Sequence, residues 1–540
     1  MHRWHFQRLF RWLVPTLVFI VLLCLLVSKQ KAAGGGLTFL DDAAYGNMSV
    51  ARTLVEDAEY GLSAGHRMPA VRDTLWNLLL ALVALIFRDP APAAYFLGAV
   101  LALSTMLISM RLARLLFPFP PFVVYTAVLL ILSPGFLVSG VSGTSAALAT
   151  MLATAAVMLH VEGLFEKKSP LPVGCALLVG LLMWIRVEFV LLWIVFSVHA
   201  LCVSFLRRSR ETGPVFVITR AMTGTLVLVF CLFPLVAWNY QVVMVPWPQA
   251  MGAPLTMDAM AAAGGSIASV YGDMVASNIP VAFGKLHQNP FLTGGLERFM
   301  TWFGFALIAA LGFAQAEERP YSVGVFAAIL LPLLYALIYP FLGWGGASVV
   351  FLSLQPLCVI SACFAFFRTP FLIESLYRKW KPGLPAAPGF MLWWLVMGSL
   401  LALFALGRGC VRDRARNEAI RNVVDVREAM AKAIQGVGAK PKLMVTDAPG
   451  WPSFALQVPV LDLTGEYSPG VLATLGSKGD VDPAKLGRLL ANEKPDVAAI
   501  WKPTNRYVEE LMSCRELKLE LPTGTLEAPD VCEITWPAAP

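Results

Sequence analysis

Charge is scarce in this chain: Asp, Glu, Lys and Arg make up 14% of its 540 residues, against 57% hydrophobic. Soluble domains carry about 25% charged and about 45–50% apolar residues, so a single water-soluble fold is excluded. The nine cysteines include no CxxC pair and no Cys/His grouping at metal spacing. Cys24, Cys175, Cys202, Cys231, Cys358 and Cys363 lie inside apolar blocks and read as small buried hydrophobes. Cys410, Cys514 and Cys532 fall in a polar tail, where Cys514 and Cys532 can pair if that tail is periplasmic. There is no glycine-rich phosphate loop after a strand, no internal repeat and no low-complexity tract. The net charge of +7 invites a nucleic-acid reading, but Lys and Arg cluster between apolar blocks, where they set membrane orientation. No nucleic-acid role is expected.

What the chain has instead is apolar blocks of ~17–24 residues, the length of a helix that crosses a bilayer. The basic MHRWHFQRLFR precedes the first, and no small-residue cleavage site follows cleanly, which reads as an uncleaved span with its N-terminus inside. Later blocks fall near 92–110, 118–138, 143–164, 170–186, 188–206, 215–237, 299–316, 321–340, 347–367 and 390–407. The expected fold is a polytopic α-helical membrane protein of about eleven spans. Alternate threading puts Arg111/Arg114, Lys167/Lys168, Arg207/Arg208/Arg210 and Arg368/Arg378/Lys379/Lys381 on the inner side, the positive-inside pattern.

The first 410 residues are thus expected to form the membrane domain, with external loops near 29–92 and 238–298. In the first loop, AAYGNMSVARTLVEDA and DTLWNLLLALVALIF read as short helices. Residues 411–540 change character: a helical opening, strand-like KLMVT, VPVLDL and DVAAIW, and a helical PAKLGRLLANE predict a small external α/β domain.

The sharpest local signal is Asp41-Asp42, just outside the first span. Adjacent carboxylates repel, so one caps a helix, which Asp42 is placed to do, or they work as a general base with a ligand for a divalent cation, oxygen donors suiting Mg²⁺ or Mn²⁺. Arg67 and Arg72, with His66 and Asp73 beside them, suit a lipid phosphate near the bilayer surface, or simply snorkel and form surface pairs. Arg186 and Glu188 interrupt two apolar blocks, and ionisable residues at that depth line a cavity or form a structural ion pair. Lys285 and His287, in the second loop, meet a phosphate or face water.

At these residues the sequence resembles the polyprenyl-phosphate-sugar-dependent glycosyltransferases of the GT-C membrane fold, especially the bacterial branch of mannosyl- and arabinofuranosyltransferase-like proteins. The most specific match is the first loop, DDAAYGNMSVARTLVEDAEYGLSAGHRMPAVRDTLWNLLLAL. Looser similarities follow in order: SPGFLVSGVSGTSAAL, IRVEF, WNYQVVMVPWP, GWGGASVVFLSLQP and, in the tail, VTDAPGWPSFALQVPVLDLTGEYSP. Three positions depart from the family pattern. Ser145 stands where a second-loop glutamate is usual, Val187 replaces a proline, and Val349 falls about where an arginine is usual.

The resemblance implies an inner-membrane enzyme that moves a sugar from a polyprenyl-phosphate donor to a glycan, lipid or protein hydroxyl in the periplasm. Asp41 or Asp42 would be the base, with Asp42 also the metal ligand if Mg²⁺ or Mn²⁺ is used. Arg67, Arg72, Arg186 and Lys285 would hold the donor phosphate, and Tyr45, His66 and Glu188 would support the site. A non-catalytic scaffold of envelope assembly competes with this reading through the departures at Ser145 and Val349. A transporter would suit the span number, but polarity concentrates in the external loops and not inside paired spans, which argues against it.

Overall fold

The computed structural model describes residues 2–70, 72–165, 171–207, 213–244, 267–286, 294–314, 319–342, 347–380, 388–437, 441–464, 468, 471, 483–501, 513–519 and 529–535. Helices α1 (His2–Gly34), α2 (Asp42–Glu56), α3 (Thr74–Phe87), α4 (Pro90–Leu116), α5 (Pro120–Leu132), α6 (Pro134–Ser139), α7 (Ala146–Phe165) and α8 (Val173–Met183) come first. They are followed by α9 (Val190–Arg207), α10 (Pro214–Val243), α11 (Ile267–Lys285), α12 (Gly294–Ala314), α13 (Val323–Leu342), α14 (Ala347–Leu352), α15 (Gln355–Trp380) and α16 (Pro388–Gln435).

Among the described residues, eight helices are long and apolar enough to cross a membrane, and α3, α5 and α8 are shorter apolar helices. The chain is a polytopic membrane protein. Its outer surface agrees: Phe230 and Ile86 are each 80% exposed and Phe233 is 69% exposed, an apolar exterior that suits lipid. Boundaries follow local chemistry. Asp89 caps α4, accepting from the Ala91 amide at 2.9 Å, with Pro90 at the first turn, where its missing N–H costs nothing. Between α8 and α9, Arg186 is extended and Val187–Phe189 form one 3₁₀ turn, so the chain breaks at Arg186 and Glu188. The closest packing joins α12 to α15: a Cβ on Gly304 would lie 2.0 Å from the Ser361 carbonyl oxygen.

The tail contains a five-stranded sheet of β1 (Met444–Thr446), β2 (Val460–Asp462), β3 (Val497–Ile500), β4 (Ser513–Glu516) and β5 (Asp530–Thr535), in the order β2-β1-β3-β5-β4. Strands β1, β2 and β3 run parallel, and β5 is antiparallel to both β3 and β4. Helix α17 (Pro483–Glu493) makes the crossover from β2 to β3. The pleat sends alternate residues to opposite faces. Val445, Ala498 and Ile500 meet Leu486 and Leu490 of α17, while Met444, Val497 and Ala499 meet Met430 and Ile434 of α16. Helix α16 has 48 residues, about 70 Å at 1.5 Å per residue. It runs unbroken past position 410 and carries the sheet on its end. Cys532 is disulfide-bonded. It lies on β5 beside β4, where Cys514 pairs with Ile534 and Glu516 with Cys532.

Candidate functional site

The loop between α1 and α4 is built around α2. Asp41 is its cap: the backbone there is extended and the side chain accepts from the Ala43 amide at 3.0 Å. The cap is therefore Asp41 and not Asp42, one residue earlier than the helical pattern placed it. Asp41 remains exposed, so capping does not remove it from solvent.

Asp42 faces the tail. Its two carboxylate oxygens accept from the backbone amides of Gly450 and Trp451, each at 2.8 Å. Burial pushes its pKa up, opposed by these two amides and by Arg427. Arg427, on α16, donates to the carbonyls of Phe39 at 2.7 Å and Leu40 at 3.4 Å. Its guanidinium lies 4.6 Å from the Tyr45 ring centre and 5.9 Å from that of Trp451. Burial lowers the Arg427 pKa, opposed by Tyr45 and Asp42. Tyr45 is buried, and its hydroxyl accepts from the Phe39 amide at 3.0 Å. Farther along α2, Ser49 and Ser453 hydroxyls are 2.7 Å apart, and Arg52 donates to the Phe454 carbonyl at 2.9 Å.

A second group forms where the loop returns to the membrane. Asp73 is buried in the left-handed region, at φ 55°, just before α3. Its amide donates to the Ile185 carbonyl at 3.0 Å, and the Leu75 amide to the Trp184 carbonyl at 3.3 Å. The loop is thereby stitched to the turn that carries Arg186 and Glu188. The Ser145 hydroxyl donates to the Asp73 carboxylate. Arg186 and Glu188 are buried, Arg72 is half-buried, and all three lie within electrostatic reach of Tyr335 on α13. Two carboxyl side chains, Asp73 and Glu188, accompany the two arginines, whose planar guanidinium groups suit bidentate hydrogen bonding to a phosphate.

The turn between α6 and α7 lies between the two groups. Gly143 has φ 73°, and a Cβ there would sit 2.7 Å from the Phe39 ring and 3.0 Å from Ala44 Cβ. On its other side the Gly143 carbonyl accepts from Trp76 Nε1 at 3.1 Å. Phe39 and Ala44, the neighbours in sequence of Asp41, Asp42 and Tyr45, thus lie on one side of this turn, and Trp76, with Asp73 bonded to Ser145, on the other.

The remaining candidates lie elsewhere. Arg67 is exposed, with Glu59 at 4.0 Å. His66 is exposed, its Nδ1 near Ser63 Oγ and the Ala64 carbonyl. Lys285 ends α11, His287 lies outside the described residues, and Val349 packs against the main core. Sequence reading overlooked Asp73 as a buried group, Tyr335 and Arg427. The first has a sequence signal, an acidic residue directly before an apolar helix.

Each Asp42 oxygen accepts one backbone amide, which uses about half of the carboxylate's acceptor sites. Among the described residues no three His, Cys, Asp or Glu side chains group as metal ligands.

The architecture is similar to that of ArnT from Cupriavidus metallidurans bound to undecaprenyl phosphate, with 13% identity, 96% of this chain and 97% of that chain aligned, and a TM-score of 0.57. The chain has the GT-C fold. It is also similar to the apo oligosaccharyltransferase of Archaeoglobus fulgidus, at 11% identity over 90% of this chain and 69% of that one, TM-score 0.50. No family model and no curated protein matches the chain.

Proposed function

We propose that this GT-C chain is a membrane glycosyltransferase that moves a sugar from a polyprenyl-phosphate donor to an acceptor hydroxyl on the periplasmic side of a bacterial inner membrane. The observation that carries the reading is the Gly143 turn, which packs on Phe39 and Ala44 beside the exposed Asp41 and, through Trp76 and the Ser145–Asp73 bond, adjoins the stretch that carries the half-buried Arg72 and the buried Arg186. The same fold in ArnT, bound to undecaprenyl phosphate, supports a lipid-phosphate donor. Fold alone would not carry function.

In this reading Asp41 takes the proton of the acceptor hydroxyl. The acceptor oxygen then bonds to the anomeric carbon as the bond from that carbon to the phosphate oxygen breaks, with inversion, and polyprenyl phosphate departs. Arg72 and Arg186 meet the charge that grows on the leaving phosphate. Asp73, bonded to Ser145 and through its amide to the Ile185 carbonyl, ties the stretch after Arg72 to the turn that carries Arg186. Both Asp42 oxygens accept tail amides, while Asp41 is exposed, so Asp41 is the freer of the two to act as base.

The test is kinetic, with synthetic polyprenyl-phosphate sugars and the protein in nanodiscs. Arg72→Gln and Arg186→Gln are expected to lower kcat/KM for the donor by on the order of 100-fold, the loss typical of one donor to a developing anion. Unchanged kinetics in both variants would remove the phosphate role.

A further inference from the structure

We infer that the tail completes the candidate site: the Gly450–Trp451 turn, through Asp42, and Arg427, through the carbonyls of Phe39 and Leu40, set the position of Asp41. This rests on Asp41 being the base. Asp42, Arg427 and Gly450 are then positioning residues.

The contacts converge on one short stretch, Phe39 to Tyr45. Two amides of the tail end on the carboxylate next to Asp41. Two guanidinium nitrogens end on the two carbonyls before it, and the same guanidinium lies against Tyr45, whose hydroxyl accepts the Phe39 amide. Polar groups removed from water must be bonded, so these partners fix the backbone on both sides of Asp41. Gly450 admits no side chain: a Cβ there would lie 2.1 Å from the Asp42 carbonyl oxygen and 2.6 Å from the Gly46 nitrogen. The contact continues along α2 through Ser49 with Ser453 and Arg52 with Phe454, whose ring centre is 4.2 Å from the guanidinium. One α2 surface is thus closed by a segment about 400 residues later in the chain.

A base displaced by about 1 Å loses on the order of 100-fold in rate even when the substitution is remote. The tail should therefore act on kcat and leave donor KM nearly unchanged, since its contacts end on the Phe39–Tyr45 stretch that carries Asp41.

The experiment uses the full chain in nanodiscs: wild type, Gly450→Ala, Asp42→Asn, and Ser49→Cys/Ser453→Cys with and without Gly450→Ala. Amide hydrogen exchange of residues 42–56 reports docking without any substrate. Transfer kinetics report catalysis. Gly450→Ala and Asp42→Asn are expected to speed exchange in the first turns of α2. Both should lower kcat by on the order of 100-fold with donor KM within about twofold, the signature of a group acting on the chemical step. Oxidation of the cysteine pair should restore most of the kcat lost to Gly450→Ala, and reduction should remove the gain. Faster exchange with wild-type kcat, unchanged exchange, or an oxidised pair without rescue would each overturn the inference. If wild type transfers from no donor, the glycosyltransferase reading falls and the positioning role with it, while exchange alone still decides whether the tail clamps α2.

Discussion

Replacing Ser145 or Asp73 tests whether their buried bond holds the first loop to the bundle. Asp73 is 7% exposed and Ser145 1% exposed, and Asp73 sits in the left-handed region. A hydrogen bond to a charged group contributes about 1.5–3 kcal/mol net, so Ser145→Ala should cost about that much. Asp73→Ala loses the same bond and also places an Ala at φ 55°, for a total of roughly 3–4 kcal/mol once the left-handed penalty of about 1–2 kcal/mol is included. Asp73→Gly removes that penalty and should fall near 2 kcal/mol, while Asp73→Asn keeps an acceptor and tolerates the backbone, for about 1 kcal/mol. The order of damage is Ala, then Gly, then Asn. The assay is SDS-driven unfolding in mixed micelles, with a double-mutant cycle between Ser145→Ala and Asp73→Ala. The cycle should give a coupling of about 1–2 kcal/mol. A coupling within about 0.5 kcal/mol of zero, or Asp73→Gly no better than Asp73→Ala, would refute the reasoning.

Gly304→Ala should destabilise by about 1–3 kcal/mol or more, because the new methyl meets the Ser361 backbone carbonyl at 2.0 Å and two helices must separate; thermal unfolding in nanodiscs checks it. Burial raises the Asp42 pKa above its ordinary 3.8, so the folded protein binds that proton more tightly than the unfolded chain. This contribution is complete below the unfolded value and is lost as pH rises through the folded one. Subtracting the Asp42→Asn melting profile from that of wild type should leave a stabilisation that grows on acidification, and a flat difference would contradict it. Tyr60→Phe should cost about 1 kcal/mol through its bonds to Thr74 and Asn77. It should also leave the pH–rate profile unchanged up to pH ~9, since burial pushes the phenol up to about 12 and keeps it neutral there.

The membrane helices were legible because length and hydropathy are local properties. Expected spans near 92–110, 143–164, 188–206 and 321–340 correspond to α4, α7, α9 and α13. The two short helices of the first loop were legible for the same reason, through Asp41-Asp42 before α2 and the apolar run of α3. The strands KLMVT, VPVLDL and DVAAIW correspond to β1, β2 and β3, but their order in the sheet follows from pairing that no strand encodes alone. The division of labour within Asp41-Asp42 was not legible. Asp42 finds its partners 408 and 409 residues away, and nothing near Gly450 or Arg427 marks them as partners of the first loop. Asp73 was hidden similarly, since a charged residue beside Arg72 reads as a surface pair until Ser145 and Ile185 are brought against it.

The central claim is that Asp41 acts as the base of sugar transfer from a lipid phosphate. The most direct measurement is single-turnover transfer of labelled sugar from a panel of polyprenyl-phosphate sugars to native acceptors, with wild type and Asp41→Asn compared at matched hydrogen exchange in α2. Wild type should transfer from at least one donor, and Asp41→Asn should be slower by on the order of 100- to 10,000-fold, the range of a lost general base. Equal rates in the two proteins, or no transfer by wild type from any donor, would contradict the account.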